Sequence, residues 1–158
     1  MITDCQPIRT LIVDDSEDEC ILLRAELRNV ASIKLIGFVH DGAEALAYVQ
    51  GTNDFKNREL FPYPDLILLD FQMPRRNGMD VLQQLRLHMH RPHVILWSST
   101  LDRVNVPLAM RLGADIVCRK PYNRPELLAI IDRLKTKIFN RTPAPLYRTT
   151  SEPAHVSD

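Results

Sequence analysis

The feature that most constrains this chain is a repeated pairing: a short apolar run that stops at a polar residue, then a segment with apolar residues at three-and-four spacing. Ile8 to Val13 stops at Asp14-Asp15, and Cys20, Leu23, Leu27 and Val30 follow Ser16 and Glu19, which form a capping-box pattern. Ile33 to Val39 leads into an Asp41-Gly42 turn and the alanine-rich segment Ala43 to Val49, which Gly51 would end. Leu66 to Leu69 is bounded by Asp65 and Asp70, and helical spacing resumes at Gly78 with Val81, Leu82, Leu85 and Met89. His93 to Trp97 and Ile116 to Cys118 are the last two runs. Between them Pro107, which has no N–H to give a helix interior, predicts a helix that starts late or kinks. Asn123 with Glu126 predicts a cap for the final helix, whose apolar face is Leu127, Ile130, Ile131, Leu134 and Ile138.

Five strand-helix units in alternation predict an α/β fold: a doubly wound, five-stranded parallel sheet with helices on both faces, flavodoxin-like and three-layered. The unbroken run Leu66 to Leu69 suits a central strand covered on both sides. One domain is expected over 8–139, after an N-terminal tail of residues 1–7. The segment Gly51 to Pro64 is polar and reads as a lengthened loop. Beyond Phe139 the chain turns to Pro143, Pro145, Thr149, Thr150, Ser151 and Pro153 without periodicity, which predicts a flexible tail over 140–158 and no second domain.

Composition removes several functions. Twenty basic and twenty acidic residues cancel, so the electrostatic footprint of a dedicated nucleic-acid binder is missing and no direct nucleic-acid partner is expected. No apolar run approaches the roughly twenty residues needed to span a bilayer, and MITDCQPIRT lacks a secretory pattern, so a cytoplasmic protein is expected. Cys5, Cys20 and Cys118 have no paired spacing and read as reduced thiols.

In doubly wound sheets the functional site lies at the carboxyl ends of the strands, near the point where strand order reverses. Those ends present Asp14 and Asp15, then Asp70, then Ser98, Ser99 and Thr100, then Lys120 before Pro121. An Asp-Asp pair alone reads most simply as a helix cap. The full set does not, because capping gives no reason for Ser98 and Lys120 at the next two ends. An acidic cluster repels itself unless a cation neutralises it, and all-oxygen ligation suits Mg2+ or Mn2+. With such an ion the Asp70 carboxylate is placed to attack a phosphoryl donor, while Lys120 and the Ser98 hydroxyl hold phosphoryl oxygens.

The stretches LIVDDSED, PDLILLDFQMP, GMDVLQQLR, HVILWSST and LGADIVCRKPYNRPELL resemble the receiver domains of two-component response regulators over about residues 8–138. The resemblance implies phosphorylation of Asp70 by a sensor histidine kinase and output through protein–protein interaction, with no separate enzymatic activity. It implies that Asp15 is a direct Mg2+ ligand, Asp14 an acidic partner acting through water, and Gln72 a ligand through its backbone carbonyl. It makes Ser98 the switch residue, Lys120 the phosphate-binding lysine, and Pro121 the proline of a usually cis peptide bond. Val117 stands where many receivers carry Tyr or Phe. The lengthened 51–64 segment resembles stand-alone regulators paired with bacterial phytochromes. Two other phosphate-related readings lack a residue each. A haloacid-dehalogenase-type enzyme needs an acid/base Asp where Gln72 stands, and a nucleotide-binding Rossmann-like domain needs a glycine-rich turn where Asp14-Asp15-Ser16 stands.

The remaining conspicuous residues have plainer readings. His88, His90 and His93 read as a solvated helix terminus, Trp97 as a packing residue pointing away from the site, and Arg75, Arg76, Arg119 and Arg124 as surface charge. Gln72 and Thr100, each two residues beyond a site residue, are expected to flank the path of water to the phosphorus. A homodimer is expected through the fourth and fifth units, with Val104, Val106 and the tail's Pro145, Leu146 and Tyr147 supplying apolar surface.

Overall fold

The computed structural model describes residues 6–139. Its elements alternate as the apolar pattern demands: β1 (Ile8–Val13), α1 (Glu17–Leu27), β2 (Ile33–Val39), α2 (Gly42–Gln50), β3 (Leu66–Asp70), α3 (Gly78–Leu85), β4 (His93–Ser98), α4 (Val106–Leu112), β5 (Ile116–Arg119) and α5 (Arg124–Phe139). All strands are parallel, in the order β2-β1-β3-β4-β5. Order reverses at β1, which has β2 on one side and β3 on the other.

Strand alternation splits the core in two. Leu66 and Leu68 join Ile12, Ile95 and Trp97 under α1 and α5, while Ile67 and Leu69 join Leu11, Val94 and Leu96 under α2, α3 and α4. Every residue from Leu66 to Leu69 is at most 1% exposed, and full burial of such a side chain stabilises the fold by roughly 1.5–3 kcal/mol. Trp97 is a core residue, as its strand parity required.

Helix ends follow local chemistry. Gly51 closes α2 in the left-handed region at φ 66°, Asn123 Oδ1 accepts the Glu126 N–H, and Pro107 lies in the first turn of α4, which therefore starts late. Four expectations change. Helix α3 stops at Leu85, because Gln84 and Leu85 carbonyls are taken by turn N–H groups, and Met89 is left 92% exposed instead of joining the apolar face. Val104 is buried, packed against the α2–α4 side of the core by the turn at Leu101–Arg103. The Lys120–Pro121 peptide is trans, since no cis bond occurs among the described residues.

The fourth change concerns residues 51–64, an ordered clasp more than a polar loop. The Arg58 guanidinium donates to the carbonyls of Tyr48, Val49 and Phe61, so it satisfies the end of α2. Phe55 and Phe61 pack on the Tyr48 ring at centroid distances of 5.0 and 6.0 Å. Among the described residues no helix is long and apolar enough to cross a membrane, and Cys20 and Cys118 are free thiols. The tail, with Pro145, Leu146 and Tyr147, lies outside the described residues.

Candidate functional site

The strand order places Asp14, one residue beyond β1, between the ends of β2 and β3. Its N–H donates to Val39 O at 3.1 Å, and its Oδ1 accepts the Ser16 N–H at 2.9 Å, fixing the start of the turn into α1. Asp70 ends the neighbouring strand β3, and the chain just beyond it is tied to β4 by Phe71, whose N–H donates to Trp97 O at 2.9 Å. Asp14 and Asp70 are buried and Asp15 is exposed. One carboxylate oxygen from each of the three lies within 4.8 Å of the others.

Lys120 follows β5 and is held by its own N–H donating to Ser98 O at 2.9 Å. From there its ammonium donates to Asp14 Oδ2 at 2.8 Å and to the Glu19 carboxylate, and lies 3.4 Å from Asp70 Oδ2. Burial pushes the Asp70 pKa up to about 6, with the Asp14 charge adding to the rise and Lys120 and the Gln72 N–H opposing it. Burial alone would lower the Lys120 pKa; bonds to Asp14 and Glu19, with the Asp70 charge, raise it above the ordinary value.

Close packing shapes the floor. A Cβ on Gly78 would stand 2.9 Å from Asp70 O and 2.6 Å from Leu96 Cδ1, so only glycine lets α3 begin directly beside the end of β3. Asn77 and Asp80 form a full capping box there.

The structure brings Asp14, Asp15, Asp70 and Lys120 together. Gln72 joins them through its backbone, its N–H donating to Asp70 Oδ1 at 3.2 Å, while its side chain is exposed. Ser98 is fully buried at the end of β4, but its hydroxyl donates to Thr100 O at 3.0 Å and accepts the Thr100 N–H at 3.2 Å. Val117 packs, half-buried, against the α2–α4 side of the core. The three histidines form no ligand set, since Asp14, Asp15 and Asp70 are the one such group among the described residues. His93 is nonetheless more than solvated: its Nδ1 lies 3.3 Å from Asp115 Oδ2.

Glu19 is the site residue that the sequence reading placed elsewhere. Ser16 Oγ accepts the Glu19 N–H at 3.3 Å, but the returning half of the capping box is absent. The Ser16 N–H goes to Asp14 and the Glu19 carboxylate to Lys120, 101 residues away in the chain. The spacing of Ser16 and Glu19 signalled only the local partner.

Three carboxylates, of Asp14, Glu19 and Asp70, thus face one ammonium, and Asp15 stands beside two of them. Buried Asp14 and Asp70 beside exposed Asp15 form an all-oxygen donor set with an open side, which fits a hard divalent cation such as Mg2+ or Mn2+.

Sheet order and site position define a doubly wound α/β domain with an acidic cluster at its switch point. Residues 10–132 match the family described as response regulator receiver domain, and the chain belongs to that family. The transcriptional regulatory protein CpxR of Klebsiella pneumoniae is 37% identical over 125 residues, covering 78% of this chain and 47% of CpxR. The chain spans about half the length of the curated relatives it matches. Among solved structures, the bacteriophytochrome response regulator RtBRR superposes with a TM-score of 0.69 at 30% identity, covering 89% of this chain and 82% of that one. RPA3017, a response regulator in red light signaling of R. palustris, does so at 0.67 and 30%, covering 88% and 99%.

Proposed function

We propose that residues 8–139 are a phosphoacceptor unit that takes a phosphoryl group on Asp70 from a sensor histidine kinase and signals by phosphorylation-dependent protein–protein interaction. The observation that carries this reading is the Lys120 ammonium between Asp14 and Asp70, beside three carboxylates within 4.8 Å of one another. Family membership supports the kinase as donor, and the likeness to bacteriophytochrome regulators supports a phytochrome-like one.

Asp14, Asp15, Asp70 and the Gln72 carbonyl would hold Mg2+, or Mn2+, which when bound neutralises charge on the transferring oxygens. A carboxylate oxygen of Asp70 attacks phosphorus, an acyl phosphate O–P bond forms, and the P–N bond of the phosphohistidine breaks. The electron pair stays on the imidazole nitrogen and the ring takes up one proton from solvent, so the kinase leaves with a neutral histidine. With its pKa raised only to about 6, Asp70 is ionised and nucleophilic at neutral pH. Lys120 binds a phosphoryl oxygen as a point charge, and Ser98 turns from Thr100 to donate to another. Hydrolysis by water restores the carboxylate.

The test is Mg2+-dependent phosphorylation by a small acyl phosphate, read by intact mass. A gain of one phosphoryl group that Asp70→Asn abolishes is expected. Undiminished uptake by Asp70→Asn sinks the site assignment.

A further inference from the structure

We infer that Glu19 is a positioning residue that competes with the phosphoryl group for Lys120. The inference rests on the phosphoacceptor reading above.

An ammonium has three N–H donors, and Lys120 faces three carboxylates directly: Asp14 Oδ2 at 2.8 Å, Glu19, and Asp70 Oδ2 at 3.4 Å. The longest approach is the one to the phosphoacceptor. Glu19 differs from the other two in kind, because it lies outside the Asp14, Asp15, Asp70 group. A divalent cation therefore draws on Asp14 and Asp70 and leaves Glu19 as the holder of Lys120 that the cation does not claim.

Glu19 also gives up its local role to be there. Its carboxylate abandons the capping box to which its spacing from Ser16 suits it, and its contact with Lys120 joins the first turn of α1 to the end of β5. With its side chain 41% exposed, beside a groove of about 300 Å³ that Leu22, Trp97 and Tyr122 help to line, it has room to rotate away. When Asp70 carries a phosphoryl group, the ammonium exchanges the Glu19 carboxylate for a phosphoryl oxygen. Glu19 thereby weakens the phosphorylated state relative to the free one.

Trp97 is the one tryptophan in the chain and, though packed in the core, borders the groove that Glu19 and Lys120 line, so its fluorescence is the optical readout beside the mass measurement. The experiment is a titration of the Mg2+-loaded protein with beryllium fluoride as phosphoryl mimic, beside intact-mass phosphorylation of the same samples. Glu19→Gln keeps the shape without the charge and is expected to lower the half-saturating fluoride complex at least fivefold. Glu19→Asp keeps the charge but withdraws it by a methylene, and is expected to follow Glu19→Gln. Asp18→Asn, on the same helical turn and exposed, is expected to titrate like the native protein.

Glu19→Gln within twofold of the native protein overturns the inference. So does Glu19→Asp matching the native protein, or Asp18→Asn matching Glu19→Gln, since either means a diffuse field and not a held ammonium. A native protein that takes up neither fluoride complex nor phosphoryl group fails at the earlier step, and the phosphoacceptor reading falls with the inference.

Discussion

At the scale of single residues the site is a contest of short-range charges. Asp70 is buried beside Asp14, so its carboxylate is costly in the free protein, and Lys120 offsets only part of that cost. Access to the phosphorus is a separate matter. Gln72 is exposed while its backbone is bonded to Asp70, and Thr100 is exposed while its backbone is bonded to Ser98, so each side chain is free to move on a fixed anchor. Replacing both by alanine is expected to change the dephosphorylation rate by more than twofold, about 0.4 kcal/mol in barrier. A rate inside that range, measured by loss of phosphoprotein mass with time, removes both from the path of water.

At the scale of elements, two ties set stability away from the chemistry. Arg58 donates to two carbonyls at the end of α2 and to Phe61 O in the 51–64 segment, and lies 5.5 Å over the Tyr63 ring. Arg58→Ala leaves those carbonyls to water and loosens the aromatic clasp, at an expected cost of about 1–3 kcal/mol in urea unfolding. An unchanged urea midpoint would show that the clasp closes without it. The second tie joins β4 to β5, where Asp115 Oδ2 accepts the Val94 N–H at 2.9 Å beside His93. Burial alone would raise the Asp115 pKa, but the bonds from His93 and Val94 and the charges of His93 and Arg91 hold it below the usual carboxylate value. A depressed carboxylate stabilises the fold above its unfolded pKa, and that stability is lost as pH falls through the folded value. The urea midpoint is therefore expected to drop on acidification below about pH 4, with a shallower drop in Asp115→Asn. Equal acid slopes in the two proteins would assign the drop to other carboxylates, Asp65 beside Arg9 first among them.

For the whole molecule the question is what reads the switch. On α4, Val106 and Met110 are 37% and 40% exposed, a smaller apolar patch than the sequence suggested because Val104 is buried. We propose a symmetric dimer through α4 and β5, since a closed two-fold assembly lets one exposed patch meet its own copy. Light scattering at tens of micromolar is expected to give a dimer mass, lowered by Val106→Glu with Met110→Glu. A monomer mass with and without phosphodonor transfers the reading of the signal to a different partner.

The order of elements, the two-faced burial of Leu66 to Leu69, the late start of α4 and the strand-end positions of Asp14, Asp70, Ser98 and Lys120 were all legible in the sequence. Each follows from local periodicity or from a residue whose backbone chemistry permits few conformations. Three things were decided only in the tertiary structure. The 51–64 segment is ordered by contacts to Tyr48 that no short window contains, and Val104 is buried by how its turn meets the core. Glu19 serves Lys120 instead of Ser16, because a helix cap is a preference between neighbours, whereas a partly buried ammonium brought in from 101 residues away is a stronger claim on a carboxylate.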